Sequence, residues 1–188
     1  PSKALIAAAD AAHVAGHSTA LGISASGVKV DFAAVMARVH HVIAEIAPID
    51  SQERFEGLGV RVVREAARFR DRRVVESDSV RVTARKVVIA TGSRAAVPPI
   101  PGLDAVPYLT NESIFELKAC PDHLIVLGGG PIGAELGQAF RRLGAQVTLI
   151  EADAVLGRED PDAAAVVVDQ LKADGVSVLA GCKAVRVE

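Results

Sequence analysis

Residues 124 to 151 read LIVLGGGPIGAELGQAFRRLGAQVTLIE, in which Gly128, Gly130 and Gly133 stand as Gly-x-Gly-x-x-Gly between an apolar run and an amphipathic stretch. A second apolar run then closes on Glu151. This order of strand, glycine turn, helix, strand and acid is that of a dinucleotide-binding βαβ unit. Gly128 permits the tight turn, Gly130 lets the backbone approach a pyrophosphate, and Gly133 lets the helix lie close on the sheet. Pro131 suits the first helical position, and with Ile132 it completes the turn that faces the phosphates. The phosphates meet free N–H groups and the positive end of the helix dipole.

Glu151 lies 18 residues beyond Gly133, near the offset of about 20 residues at which a carboxylate accepts hydrogen bonds from the adenosine ribose. A 2′-phosphate beside it would bring two negative groups together, and the nearest following base along the chain is Arg158. The expectation is NAD(H) rather than NADP(H).

The elements that position these residues belong to an α/β chain of 188 residues with ample material for a buried core. Hydrophobic residues make up 50% and aromatic ones 3%, so Ala, Val, Leu and Ile must build that core. A formal charge of −2 with mixed signs leaves no electrostatic footprint for nucleic acid or an anionic membrane. No apolar run reaches the roughly 18 residues needed to span a bilayer, and no signal peptide is read, so a cytoplasmic location is expected. Cys120 and Cys182 are 62 residues apart without a C-x-x-C spacing or a His cluster. They read as unpaired thiols in a reducing compartment, and no metal site is expected.

Residues 3 to 13 have the composition of a helix begun at Pro1 and Ser2. Asp31 is a candidate N-cap for a long helix whose stripe runs through Phe32, Val35, Met36, Val39, Val42, Ile43 and Ile46 to Pro48. His40 and His41 are adjacent and point in different directions. Strands are expected at 60–63, 74–77, 80–83 and 86–90, a small antiparallel meander with a turn at Ser77, Asp78 and Ser79 that leads into a buried strand. The arginines from Arg61 to Arg73 are interleaved with acids and valines, as on a solvated strand face. After Thr91 and Gly92, the residues Pro98, Pro99, Pro101 and Gly102 mark an extended linker. Beyond Glu151, Asp160 caps a helix that buries Ala164, Val167, Val168 and Leu171 and ends at Gly175, and Val176 to Leu179 form a further strand.

Four segments in order, Pro1-Ser2-Lys3-Ala4-Leu5, Val88-Ile89-Ala90-Thr91-Gly92-Ser93, Tyr108-Leu109-Thr110-Asn111-Glu112 and Gly133-Ala134-Glu135-Leu136, resemble the pyridine nucleotide-disulfide oxidoreductases. That flavoprotein family includes dihydrolipoyl dehydrogenase and mercuric reductase. The resemblance spans essentially the whole chain and implies a Rossmann-like two-domain FAD/NAD(P)-binding fold, present here in part. Residues 1–104 would belong to the FAD-binding domain and 105–188 to the NAD-binding domain. In the family, a C-x-x-x-x-C redox pair and a first FAD-binding βαβ unit precede the PSK segment, and a dimerisation domain with an acid/base His and Glu follows. Neither is found in this sequence, so the chain is expected to be an internal piece of a longer homodimeric enzyme and inactive alone.

The resemblance implies roles residue by residue. Lys3 would lie beside the flavin and form an ion pair with Glu135 at the ring edge that receives the hydride. Ala67, where the family often has glycine, and Thr91 with Gly92 would touch the FAD adenosine and pyrophosphate through the backbone. Ala184 would meet the NAD adenine by its backbone. The implied activity is hydride transfer between nicotinamide and FAD, with electrons passing to or from a small-molecule or protein disulfide. A metal or quinone acceptor, or a non-catalytic nucleotide-binding module, are the alternatives.

Overall fold

The computed structural model describes residues 1–188, which separate into two compact units, Pro1–Ala44 with Ala95–Glu188 and Glu45–Arg94. This separation reflects contacts within the chain. The expected division at 104/105 concerns which cofactor each segment serves.

In the larger unit, α1 (Ser2–His17), β4 (His123–Leu127), α4 (Pro131–Arg142), β5 (Gln146–Glu151), α5 (Pro161–Ala173) and β6 (Ser177–Ala180) form the frame, joined by most of α2 (Phe32–Ile46). The strands pair in parallel in the order β4-β5-β6, with Leu124 opposite Val147 and Leu149 opposite Val178. Each parallel step needs a crossover, supplied by α4 and then α5. Along β5, Val147 and Leu149 are buried beneath the helices, and Phe140, Leu171, Leu5 and Val39 complete the core at 0% exposure. Phe32 packs on Phe140 with ring centroids 5.8 Å apart.

The caps fall where side-chain chemistry placed them. The Asp31 carboxylate accepts from Ala34 N–H at 3.0 Å, and the Asp160 carboxylate accepts from the Asp162 and Ala163 N–H groups. The stripe on α2 is only partly used: Phe32, Met36 and Val39 are buried, whereas Ile43 and Ile46 stay 37% and 46% exposed. On α5, Ala164 and Leu171 are buried, but Val167 remains 38% exposed.

Two ion pairs tie α1 to α4, Lys3 to Glu135 at 2.8 Å and Asp10 to Arg142 at 2.5 Å. The partners are displaced by seven residues on both helices, which is about two turns. The helices therefore run side by side in the same direction. Arg142 Nε also donates to Asp174 at 2.7 Å, where Gln138 and Gln170 donate as well. Burial pushes the Asp174 carboxyl up, but these donors together hold it below its ordinary range.

The smaller unit holds α3 (Gln52–Gly57) and an antiparallel sheet of β1 (Arg68–Phe69), β2 (Val74–Glu76) and β3 (Arg81–Thr83). Val75 faces Val82 and Glu76 faces Arg81. Arg68, Arg70 and Arg81 lie 3.3, 3.8 and 3.4 Å from the Glu76 carboxylate. Glu65 holds the 77–79 turn, and hydrogen bonds from Ser77 and Ser79 lower its pKa to about 2.

Two expected strands are corrected. Residues 60–63 are not a strand, because Val60 N–H closes the end of α3 on Phe55 O, and the meander begins only at Arg68. Residues 86–90 form no ladder, and Val88 and Ile89 are 87% and 72% exposed rather than buried. An apolar run becomes a strand only where a neighbour pairs with it, and none of the described residues does so. No helix among the described residues is long and apolar enough to cross a membrane.

Replacing Asp174 with Ala is expected to lower unfolding free energy by about 2–3 kcal/mol, because it removes the shared acceptor of Arg142, Gln138 and Gln170 and leaves Arg142 only its bond to Asp10. The folded Asp174 pKa is depressed, so its stabilisation is present above its ordinary value of 3.8 and fades as pH falls through the folded value. The gap between wild type and Asp174→Ala in urea melts should therefore be widest above about pH 4 and narrow as the pH is lowered below it.

Candidate functional site

The glycine turn joins the end of β4 to the start of α4. Gly128 has φ +112°, a conformation costly for any side chain, and its N–H donates to Ile150 O at 2.9 Å. A Cβ on Gly133 would fall 2.1 Å from Gly128 O, so backbone packs directly on backbone there. Gly130 is the N-cap of α4, extended and without a side-chain cap, and a Cβ on it would meet nothing within 4 Å. Pro131 is the first helical residue, and Ile132 beside it is 57% exposed. The first-turn N–H groups thus face open space at the positive end of the helix.

Glu151 closes β5 and reaches back to this turn. Its Oε2 accepts from Gly129 N–H at 2.7 Å and its Oε1 accepts from Asp153 N–H at 3.0 Å. The bond from Asp153 and then that from Gly129 hold its carboxyl below the ordinary glutamate value. Each carboxylate oxygen has a further lone pair, so ribose hydroxyls remain admissible partners. Gly129, unspecified in the glycine pattern, proves constrained too, since a Cβ there would lie 3.0 Å from both Glu151 Cβ and Val155 Cγ2. The uninterrupted run Gly128-Gly129-Gly130 was its signal in the sequence.

Gly128, Glu151 and Ala184 line one cleft of about 660 Å³ at the carboxyl ends of the three parallel strands, where open α/β sheets bind ligands. Its far wall is the proline-rich segment around Pro99 and Ile100, and Cys182 and Lys183 also face it. These four were not read as site residues, because their proximity arises only when the segment after β6 folds back: Cys182 N–H donates to Glu151 O at 3.0 Å, and Val187 N–H to Pro101 O at 2.9 Å.

Lys3 and Glu135 meet in a separate shallow groove between α1 and α4, with side-chain exposures of 78% and 43%. Ala67, Thr91 and Gly92 lie in the smaller unit and are exposed. Cys120 is partly buried, and burial pushes its thiol pKa up, which keeps it a poor nucleophile.

The parallel sheet with its glycine turn and strand-end cleft defines an α/β fold of the FAD/NAD(P)-binding flavoprotein class. A model of the pyridine nucleotide-disulphide oxidoreductase family matches residues 1–188, and the chain belongs to that family. It is 34% identical over 189 residues to a mercuric reductase of Bacillus cereus, covering 100% of this chain and 30% of that protein. It is 35% identical over 184 residues to a mercuric reductase of Streptomyces lividans, covering 95% of this chain and 39% of the relative. Among solved structures, the HOCl-induced flavoprotein disulfide reductase RclA from Escherichia coli, as its Cu(II) complex, superposes with a TM-score of 0.74 at 27% identity. That match covers 99% of this chain and 39% of RclA. The chain thus spans about a third of the length of these relatives.

Two glycines of the same motif, given different roles by their positions, should respond differently. Gly133→Ala should cost about 3 kcal/mol, a fall of about 6–10 °C in Tm for a chain of this size, whereas Gly130→Ala should leave Tm within 1–2 °C, or about 0.5 kcal/mol. Differential scanning calorimetry of the two variants checks this.

Proposed function

We propose that this chain supplies the nicotinamide-dinucleotide site, and part of the FAD site, of a longer homodimeric FAD-dependent disulfide oxidoreductase acting in the cytoplasm. The observation that carries this reading is the cleft at the strand ends, where the Glu151 carboxylate is pinned to the glycine turn by Gly129 N–H at 2.7 Å. The residues present fit a dinucleotide: Gly130 leaves room for a pyrophosphate above the uncapped N-terminus of α4, and Glu151 holds acceptors for the ribose hydroxyls. In this reading the Glu151 charge favours NAD(H) over NADP(H), Gly128 to Gly133 embrace the phosphates, and Ala184 abuts the adenine. Residues 1–104 then serve FAD and residues 105–188 serve NAD.

FAD in such an enzyme supplies hydride acceptance from the nicotinamide and two-electron delivery to the acceptor. The chain's own part is electrostatic. Lys3 Nζ, held 2.8 Å from Glu135 Oε1, places a cation where negative charge would arrive at the flavin edge, and Glu135 fixes its position. Thr91 and Gly92, with Ala67, would offer exposed backbone to the FAD adenosine and pyrophosphate.

A disulfide is the acceptor in this reading, by family membership and by likeness to a flavoprotein disulfide reductase. A metal ion such as mercuric ion is the second reading, supported by the identity to mercuric reductases. The full-length protein should bleach its flavin absorbance between 350 and 500 nm on addition of NADH and then reduce one acceptor class in preference. The 188 residues alone are expected to turn over neither.

Glu151→Arg should weaken NADH binding about tenfold, the loss of a charge-assisted hydrogen bond, and shift preference toward NADPH. Equal NADH affinities before and after, by fluorescence titration, would remove Glu151 from the site. Lys3→Met in the full-length protein should slow flavin reduction by NADH about tenfold or more while leaving NADH affinity unchanged, as stopped-flow absorbance would show.

A further inference from the structure

Away from the strand-end cleft, α1 ends on a pair of histidines. His13 and His17 are four residues apart, so both rise from one face of the helix. Their rings stack, with centroids 4.2 Å apart and planes 18° from parallel. Each ring is anchored through Nδ1. His17 Nδ1 lies 2.9 Å from His13 O, and because a carbonyl only accepts, this nitrogen carries the hydrogen. His13 Nδ1 lies 3.7 Å from the Asp174 carboxylate, which is 2% exposed and itself fixed by Arg142, Gln138 and Gln170. Both Nε2 atoms are left without a partner among the described residues. In this they differ from His40 and His123, whose Nε2 atoms meet Phe115 O at 3.0 Å and Thr148 Oγ1 at 2.9 Å. His17 is exposed and the His13 side chain is 26% exposed, so an ion in solution can reach the pair.

We propose that His13 and His17 bind a divalent transition-metal cation of the Zn²⁺ class through their two Nε2 atoms. Two histidines at i and i+4 on one helix face are a zinc-binding geometry, and imidazoles this close can share one ion at a Zn–N distance of about 2.0–2.1 Å. Anchoring Nδ1 on a carboxylate or a carbonyl is also the arrangement that fixes tautomer and ring orientation in metal-bound histidines. The pair sits in the last turn of α1, where the helix dipole favours a cation. No third His, Cys, Asp or Glu converges with them among the described residues, so water fills the remaining positions. Val14 stands where a zinc hydrolase of this spacing carries its general-base glutamate; the site therefore holds a cation without hydrolytic chemistry. It lies ten residues beyond Lys3 along α1, about 15 Å, and is independent of the nucleotide reading. The bound ion ties the last turn of α1 across one helical repeat.

The test is titration of the chain with zinc chloride, followed through the histidine ring nitrogens in long-range proton–nitrogen correlation spectra and repeated for His17→Gln and His13→Gln. Saturable Nε2 shifts of His13 and His17 together, reversed by EDTA, are expected, and in either variant the remaining ring should bind about tenfold more weakly or worse. His17 is exposed, so its replacement leaves the fold intact. Unmoved His13 and His17 rings at millimolar Zn²⁺, a shift of one ring without the other, or full affinity kept by His13 in His17→Gln would overturn the site. Zinc taken up by the exposed Cys182 leaves both rings unmoved and counts against the proposal.

Discussion

The site depends on the approach of Gly133 to Gly128, where a single methyl group on Gly133 would fall 2.1 Å from a carbonyl oxygen. That contact lets α4 begin immediately beside the end of β4, next to Gly128, which lines the strand-end cleft. It also sets the position of Gly129, whose N–H is taken by Glu151 from the end of the neighbouring strand. The turn, the helix dipole and the carboxylate are thus one unit, and changing any part moves the others.

The same helix carries the second centre of charge. Glu135, on the second turn of α4, holds Lys3 of α1, and two turns further Arg142 holds Asp10 and the nearly buried Asp174. Exposed ion pairs contribute little to stability, so the Lys3–Glu135 pair gains its precision from the firmer Arg142–Asp174 contact and from apolar packing of Leu5 and Ala9 beneath it. A cation placed for electrostatic work is more useful when the helices that carry it cannot slide.

The sequence was most legible where local chemistry is self-sufficient. The glycine pattern, the Asp31 and Asp160 caps and the apolar run of β5 each determine their own geometry, and each lies where it was read. Legibility failed where structure needs a distant partner. Residues 86–90 have the composition of a buried strand but no neighbour to pair with, and Val88 lies exposed. The apolar stripe of α2 outruns the core that covers it, leaving Ile46 uncovered. Within the site, Lys183 and Pro99 could not be read at all, because only the return of the chain after β6 brings them to the cleft that Glu151 and Gly128 share.

The most direct test of a dinucleotide site at the strand ends is amide chemical-shift mapping of the isotope-labelled chain during titration with ADP-ribose, which carries the adenosine, both phosphates and no redox group. Saturable shifts are expected at Gly128 to Gly130, Ile132 and Gly133, and at residues 151–153 and 182–184. An absence of shifts in these amides at millimolar ligand, or shifts confined to other parts of the fold, would contradict it.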